Sequence, residues 1–147
     1  MFKVILVPID GSDHAEKAVS VAADLAGKYD AELHIMTVME STALPSGLHR
    51  FAEAEHITGG EAQIATYISD RFLDRAREVA KEEGAKSIET MVVMGDVQEK
   101  ILEYAEKIGA DLIVLGSRGL SDLKGLMLGS VSHKIANSAH CTVITVR

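Results

Sequence analysis

Apolar residues run unbroken from Val4 to Ile9 and stop at Asp10. A strand apolar on both faces is one that helices cover on both sides. Pro8, with no N–H to give to a ladder, marks its end. Past Asp10-Gly11-Ser12 the period changes. Ala15, Ala18, Val19, Ala22, Leu25 and Ala26 form a helical stripe, leaving Glu16, Lys17, Asp24 and Lys28 to water. Ser12 or Asp13 is placed to cap this helix, and Gly27 lies near its end. Leu33 to Met39 reads as a second strand.

Glu40 to Gly60 breaks the pattern with Pro45, Gly47, Gly59 and Gly60. Connections of that length serve as lids, interfaces or mobile segments. A helical stripe returns from Glu61 to Glu83 through Ala65, Ile68, Phe72, Ala76 and Val79, and Gly84 ends it. Ser87 to Met94 is a third strand. Val97, Ile101, Tyr104, Ala105 and Ile108 share one helical face, stopped by Gly109. Leu112 to Leu115 is a fourth, buried strand that runs into a glycine-bearing loop, Gly116 to Gly129. Ser130 to Ala139 reads as a last helix and Thr142 to Val146 as a last strand.

The order β-α-β-α-β-α-β-α-β predicts an α/β fold with a parallel sheet and helices on both faces. Right-handed crossovers make it doubly wound. The 147 residues suit a single domain over 1–147, with no internal repeat or linker. Composition narrows the function. A net charge of −7 without a basic run predicts no nucleic acid and no anionic-lipid partner. The lone cysteine, Cys141, leaves no internal disulfide and no two-cysteine redox or zinc motif. The first apolar run is too short for a membrane span and lacks a small-residue cleavage site, so the expectation is a cytoplasmic protein without membrane insertion.

In open α/β sheets, ligands bind beyond the carboxyl ends of the strands where the winding reverses. Two segments suit that place, Pro8-Ile9-Asp10-Gly11-Ser12 and Gly116-Ser117-Arg118-Gly119 through Gly129-Ser130-Val131. Glycines let main-chain N–H groups approach a ligand closely. The helix opening at Ser130 offers unpaired N–H groups and the positive end of its dipole, so phosphate is the natural guest. Ser130 adds a hydroxyl. Arg118 either reaches a terminal phosphate or stays solvated, and Lys124 is read as solvated. Asp10 either accepts from an adenosine moiety or serves as a loop or cap residue.

Gly116, Gly119, Gly129 and Ser130 fit the spacing Gly, two residues, Gly, nine residues, Gly, Ser/Thr. With Val7-Pro8-Ile9-Asp10-Gly11-Ser12, Leu128-Gly129-Ser130-Val131 and Ala139-His140-Cys141, that spacing resembles the ATP-binding subgroup of universal stress proteins from Val4 to Val146. The resemblance implies a Rossmann-like, adenine nucleotide alpha hydrolase-like fold, an open five-stranded sheet of order 3-2-1-4-5. It implies that Asp10, in the segment begun by Pro8, contacts adenosine, and that the Val38 backbone holds adenine. Gly116 would lie at the ribose, with Gly119, Gly129, Ser130 and Val131 at the phosphates of ATP. Mg2+ or Mn2+ would bridge phosphate oxygens and need no protein ligand. It further implies a homodimer through Thr142 to Val146. Thr142 stands where many relatives have proline, and Glu40–Gly60 falls in a variable segment.

Catalysis is not expected beyond weak ATP hydrolysis. The Gly-Lys-Ser/Thr P-loop ending, the Gly-x-Ser-x-Gly elbow and paired metal-holding carboxylates are absent from the motifs. Cys141 reads as a buried structural thiol. His14 and His34 read as lone, solvated or satisfied residues. His133 and His140 are too far apart to share an ion, and His49 and His56 lie in or near the irregular segment. Met36, Met39, Met91, Met94 and Met127 read as packing residues near the sheet ends. The expected function is a nucleotide-dependent regulatory or stress-response protein in which bound ATP orders Gly116–Gly129, and with it Glu40–Gly60, for an unknown protein partner. A nucleotide-independent dimeric interaction module and a slow ATPase are the competing classes.

Overall fold

The computed structural model describes residues 1–40, 50, 53–56, 60–118 and 129–147. In chain order the elements are β1 (Val4–Pro8), α1 (Asp13–Tyr29), β2 (Glu32–Met39), α2 (Glu61–Glu82), β3 (Ser87–Met94), α3 (Val97–Ile108), β4 (Leu112–Gly116), α4 (Ser130–Ser138) and β5 (Thr142–Val146). The alternation read from the apolar periods is the alternation of the fold. The five strands form one sheet of order β3-β2-β1-β4-β5, and every pairing is parallel.

The apolar strands are buried because both faces are covered. Ile5, Val7, Leu33, Ile35, Leu112 and Val114 face α1 and α2. Leu6, Met36, Ile113 and Leu115 face α3 and α4. Helix α1 meets the sheet through Ala15, Ala18, Ala22, Ala23 and Ala26, whose short side chains let it lie close. Ser12, not Asp13, caps it, accepting from Ala15 N at 3.2 Å. Asp96 caps α3 in the same way, accepting from Glu99 N at 2.9 Å.

Gly27 does not end α1. The helix runs to Tyr29 and is closed by Asp30 in the left-handed conformation. A Cβ on Gly27 would lie 2.8 Å from the carbonyl oxygen of Gly84, so this glycine serves the close passage of α1 and the end of α2. One packing expectation also changes. Met94 is 53% exposed, because it ends an edge strand, whereas Met36 is fully buried. Met127, most of Glu40–Gly60 and the interior of the Gly116–Gly129 loop lie outside the described residues.

The winding reverses between β1 and β4. Successive pairs carry the chain from β1 to β2 to β3, and α3 then returns it to β4 on the other side of β1. The two central strands share a short register, Ile5↔Leu112 and Leu6↔Ile113. Each stays paired further with its outer neighbour, to Pro8↔Met36 and Gly116↔Val146. Pro8 has no N–H with which to prolong the central pair. The sheet therefore opens between β1 and β4 toward their carboxyl ends.

Candidate functional site

Three groups of main chain converge on this opening. The first is the turn after β1. Ile9 N donates to Met36 O at 2.8 Å, which carries the pairing with β2 one residue past Pro8. Asp10 Oδ1 then accepts from Ser12 N at 3.0 Å, a local turn that fixes the carboxylate at the strand tip. Asp10 is thus a loop residue and not the cap. Gly11 has φ +81° and lies beneath the Phe72 ring of α2.

The second group is the end of β2. Met36 O points to β1, and Met39 O, which accepts from Gly95 N, points to the β3 side. By the alternation of a parallel strand, the main-chain groups of half-buried Val38 face the β1 side, beyond the last β1–β2 pair.

The third group joins the end of β4 to the start of α4. Gly116 packs so close to α1 that an added Cβ would lie 2.8 Å from His14 C and 2.9 Å from Ala15 N. Ser117 is 1% exposed. Its N–H donates to Val146 O at 2.7 Å, and its carbonyl accepts from Gly129 N at 2.6 Å. Its hydroxyl lies 2.9 Å from His14 Nδ1. Ser132 Oγ donates to Gly116 O at 2.6 Å, and Ser12 Oγ approaches Arg118 O at 3.5 Å.

Gly129 is the N-cap of α4, with φ −65° and ψ 161°, and supplies no side-chain cap. Any residue can adopt those angles, and Ser, Thr, Asp or Asn would cap better. Among the described residues, no side chain caps the first amides of α4, those of Ser130 and Val131. Such amides with the dipole behind them suit an anion.

Of the residues expected at the site, Pro8, Asp10, Val38, Gly116, Arg118, Gly129, Ser130 and Val131 all lie at carboxyl ends of β1, β2 and β4 or at the start of α4. Gly119, like Asp122 and Lys124, is outside the described residues. Sequence patterns did not single out His14, Ser117 or Ser132 for this region. Ser117 stands inside the glycine signature, but its partner is 103 positions away and only the fold joins them.

The other titratable groups lie elsewhere. His34 is 8% exposed, with Nδ1 2.9 Å from the Tyr104 hydroxyl and Nε2 2.9 Å from Glu32 Oε1, a satisfied core histidine. Burial pushes the Tyr104 hydroxyl up, and the charges of Glu89 and Glu32 add to this. Cys141 is half-exposed just before β5, not buried as expected. What burial it has, with the Asp111 charge, raises its thiol pKa. His133 contacts Asn137 and exposed His140 lies 3.8 Å from Glu106. Among the described residues, no three His, Cys, Asp or Glu side chains come together to hold a metal. A cleft of about 80 Å³ between α1 and α2 lies on the α2 side of the turn after β1, floored by Ile9, Ala15 and Phe72 and edged by Ser12 and the Glu16–Arg75 ion pair.

The order of the sheet and the crevice at its point of reversal define a doubly wound, Rossmann-like α/β protein. The chain belongs to the Universal stress protein family, whose profile matches residues 1–147. It is 37% identical, over 161 aligned positions covering all of both chains, to Universal stress protein YxiE of Bacillus subtilis (strain 168). Among solved structures it resembles Universal stress protein UspA from Lactobacillus plantarum, with a TM-score of 0.78 and 28% identity over 99% of this chain and 97% of that one. It also resembles a universal stress protein crystallised in complex with cAMP, with a TM-score of 0.70 and 29% identity over 99% and 97%.

Proposed function

We propose that the chain binds an adenine nucleotide, ATP accompanied by Mg2+ or Mn2+, in the crevice between β1 and β4, and acts as a nucleotide-linked regulator in the cytoplasm. The observation that carries this reading is the end of the β1–β4 register two pairs before the strands finish, beside a helix start capped by glycine. Asp10 accepts from the adenosine moiety and the Val38 main chain meets the adenine edge. The ribose lies over Gly116. Beside Gly129, whose own amide is held by Ser117 O, the amides of Ser130 and Val131, the Ser130 hydroxyl and the Arg118 guanidinium take the phosphates. Main-chain amides and one arginine fit a polyphosphate. The metal, when present, neutralises phosphate charge from the phosphate side. A relative of similar fold in complex with cAMP supports an adenine nucleotide as the class of ligand.

Because amides read phosphate and not base, affinity must be measured across nucleotides. Isothermal titration with ATP, AMP and cAMP, with and without Mg2+, is expected to give tightest binding for ATP with Mg2+. Gly129→Val keeps allowed backbone angles, with a loss at the helix cap of about 1 kcal/mol. It places a branched side chain among the amides, so nucleotide affinity should fall more than tenfold. Absence of binding by the wild-type protein, or unchanged affinity in Gly129→Val, would defeat the proposal and favour a nucleotide-independent interaction module. Phosphate release that survives repurification and disappears in Gly129→Val would add slow hydrolysis to the function.

A further inference from the structure

One buried residue joins three elements around the crevice. Ser117 donates its N–H to the last residue of β5, accepts the amide of the α4 cap on its carbonyl, and holds the His14 ring of α1 with its hydroxyl. The two main-chain bonds, at 2.7 and 2.6 Å, exist only while Ser117 stays at one position and tilt. β4 ends one residue earlier, and the N–H bond to Val146 is the last rung of its pairing with β5, which holds Ser117 on that side only. The side-chain bond to His14 holds it on the α1 side. His14 is itself rigid: it lies in the first turn of α1, with its Cβ packed where a Gly116 side chain would go.

We propose that His14 is a positioning residue, acting through Ser117 as a latch that keeps the start of α4 and the end of β5 in register. The amides that line the crevice and the free edge of the sheet then respond together. Loosening the latch lets Ser117 rotate, which weakens the Gly129 N–H bond and the Val146 carbonyl bond in the same event. The latch is a property of the folded chain and stands without a ligand; its second consequence, tuned nucleotide affinity, rests on the reading above.

The test is amide hydrogen exchange on the full chain, comparing wild type with His14→Ala, His14→Asn and Ser117→Ala. An asparagine carries its amide where the imidazole carries Nδ1, so His14→Asn can keep the bond to Ser117 Oγ. One lost hydrogen bond corresponds to about a fivefold change. The expected result is about fivefold faster exchange at both the Ser117 and Gly129 amides in His14→Ala and in Ser117→Ala. The α3 amides should keep their wild-type rates, and His14→Asn should return both affected amides close to wild type. The double variant His14→Ala/Ser117→Ala should be no worse than either single one. Unchanged exchange at either amide in His14→Ala overturns the latch, as does failure of His14→Asn to restore it. In the same samples, titration with ATP and Mg2+ should show about fivefold weaker binding in His14→Ala and recovery in His14→Asn. If the amides respond as expected and the wild type binds no nucleotide, the latch stands and the nucleotide reading fails. If nucleotide binds and the amides do not respond, the reverse holds.

Discussion

At the scale of single residues, the glycine signature divides by cause. Gly129 sits at angles open to every residue, so its lack of a side chain is not demanded by the backbone. Gly116 is different. Its Cβ would fall 2.8–3.0 Å from His14 and Ala15, two of the three nearest atoms being main chain of the α1 first turn. Backbone at a helix start cannot step aside as a side-chain tip can. Gly116→Ala should therefore destabilise the chain by about 1–3 kcal/mol, as overpacking does, in urea unfolding without nucleotide. Wild-type stability in that variant would show that α1 shifts freely and that this packing constraint is illusory. A variant at Gly116 is accordingly a poor probe of ligand binding, since it disturbs α1 before any ligand arrives, whereas Gly129 has backbone angles that any residue can take.

At the scale of elements, close packing sets a sign that helix propensity alone gets wrong. Gly27 lies within α1, where alanine would ordinarily gain about 1 kcal/mol. Here the added methyl would meet the Gly84 carbonyl oxygen at 2.8 Å, where α1 and the end of α2 pass closest. Overpacking costs about 1–3 kcal/mol. The steric cost exceeds the propensity gain, so Gly27→Ala should lower the urea midpoint; a raised midpoint would show that the two helices can part without cost. Gly27 also marks the limit of a one-dimensional pattern. Each strand and helix was legible because its neighbours lie along the chain: unbroken apolar runs for covered strands, a 3.6-residue stripe for α1. The reason for Gly27 was not, since its partner is 57 positions away and nothing local distinguishes a terminating glycine from a crossing one. The same holds at the crevice. Asp10, Gly116 and Gly129 could be read from strand ends and a helix start, whereas the His14–Ser117 bond joins segments brought together only by the β1–β4 adjacency. Met94 and Cys141 were misjudged for a related reason: their exposure depends on the edge and end positions of β3 and β5.

At the scale of the whole molecule, the described residues leave the sheet with two edge strands of unequal character. β3 presents exposed Glu89 near its middle, a charge that discourages another strand from pairing there. β5 has no charge or proline between Thr142 and Val146 and pairs on one side with β4. Of the two, β5 carries less to discourage a second copy, and the homodimer expected from the sequence would pair there, antiparallel about a two-fold axis, so that both edges are covered at once. Thr145 is exposed on β5, so Thr145→Lys adds charge to the edge without entering the core. A two-fold interface repeats the substitution, and the two like charges are desolvated together. Sedimentation velocity at micromolar concentration should give a dimer for the wild type and at least tenfold weaker association for Thr145→Lys. Thermal unfolding of the dilute, dissociated variant should match that of the equally dilute wild type, because the intramolecular packing is untouched. A wild-type protein that sediments as a monomer, or a Thr145→Lys variant that associates as tightly as wild type, would move the interface away from β5. The latch at Ser117 adds a further expectation to a dimer at this edge. Because Ser117 holds Val146, His14→Ala should weaken the dimer as well as the crevice, and the two losses should be recovered together in His14→Asn.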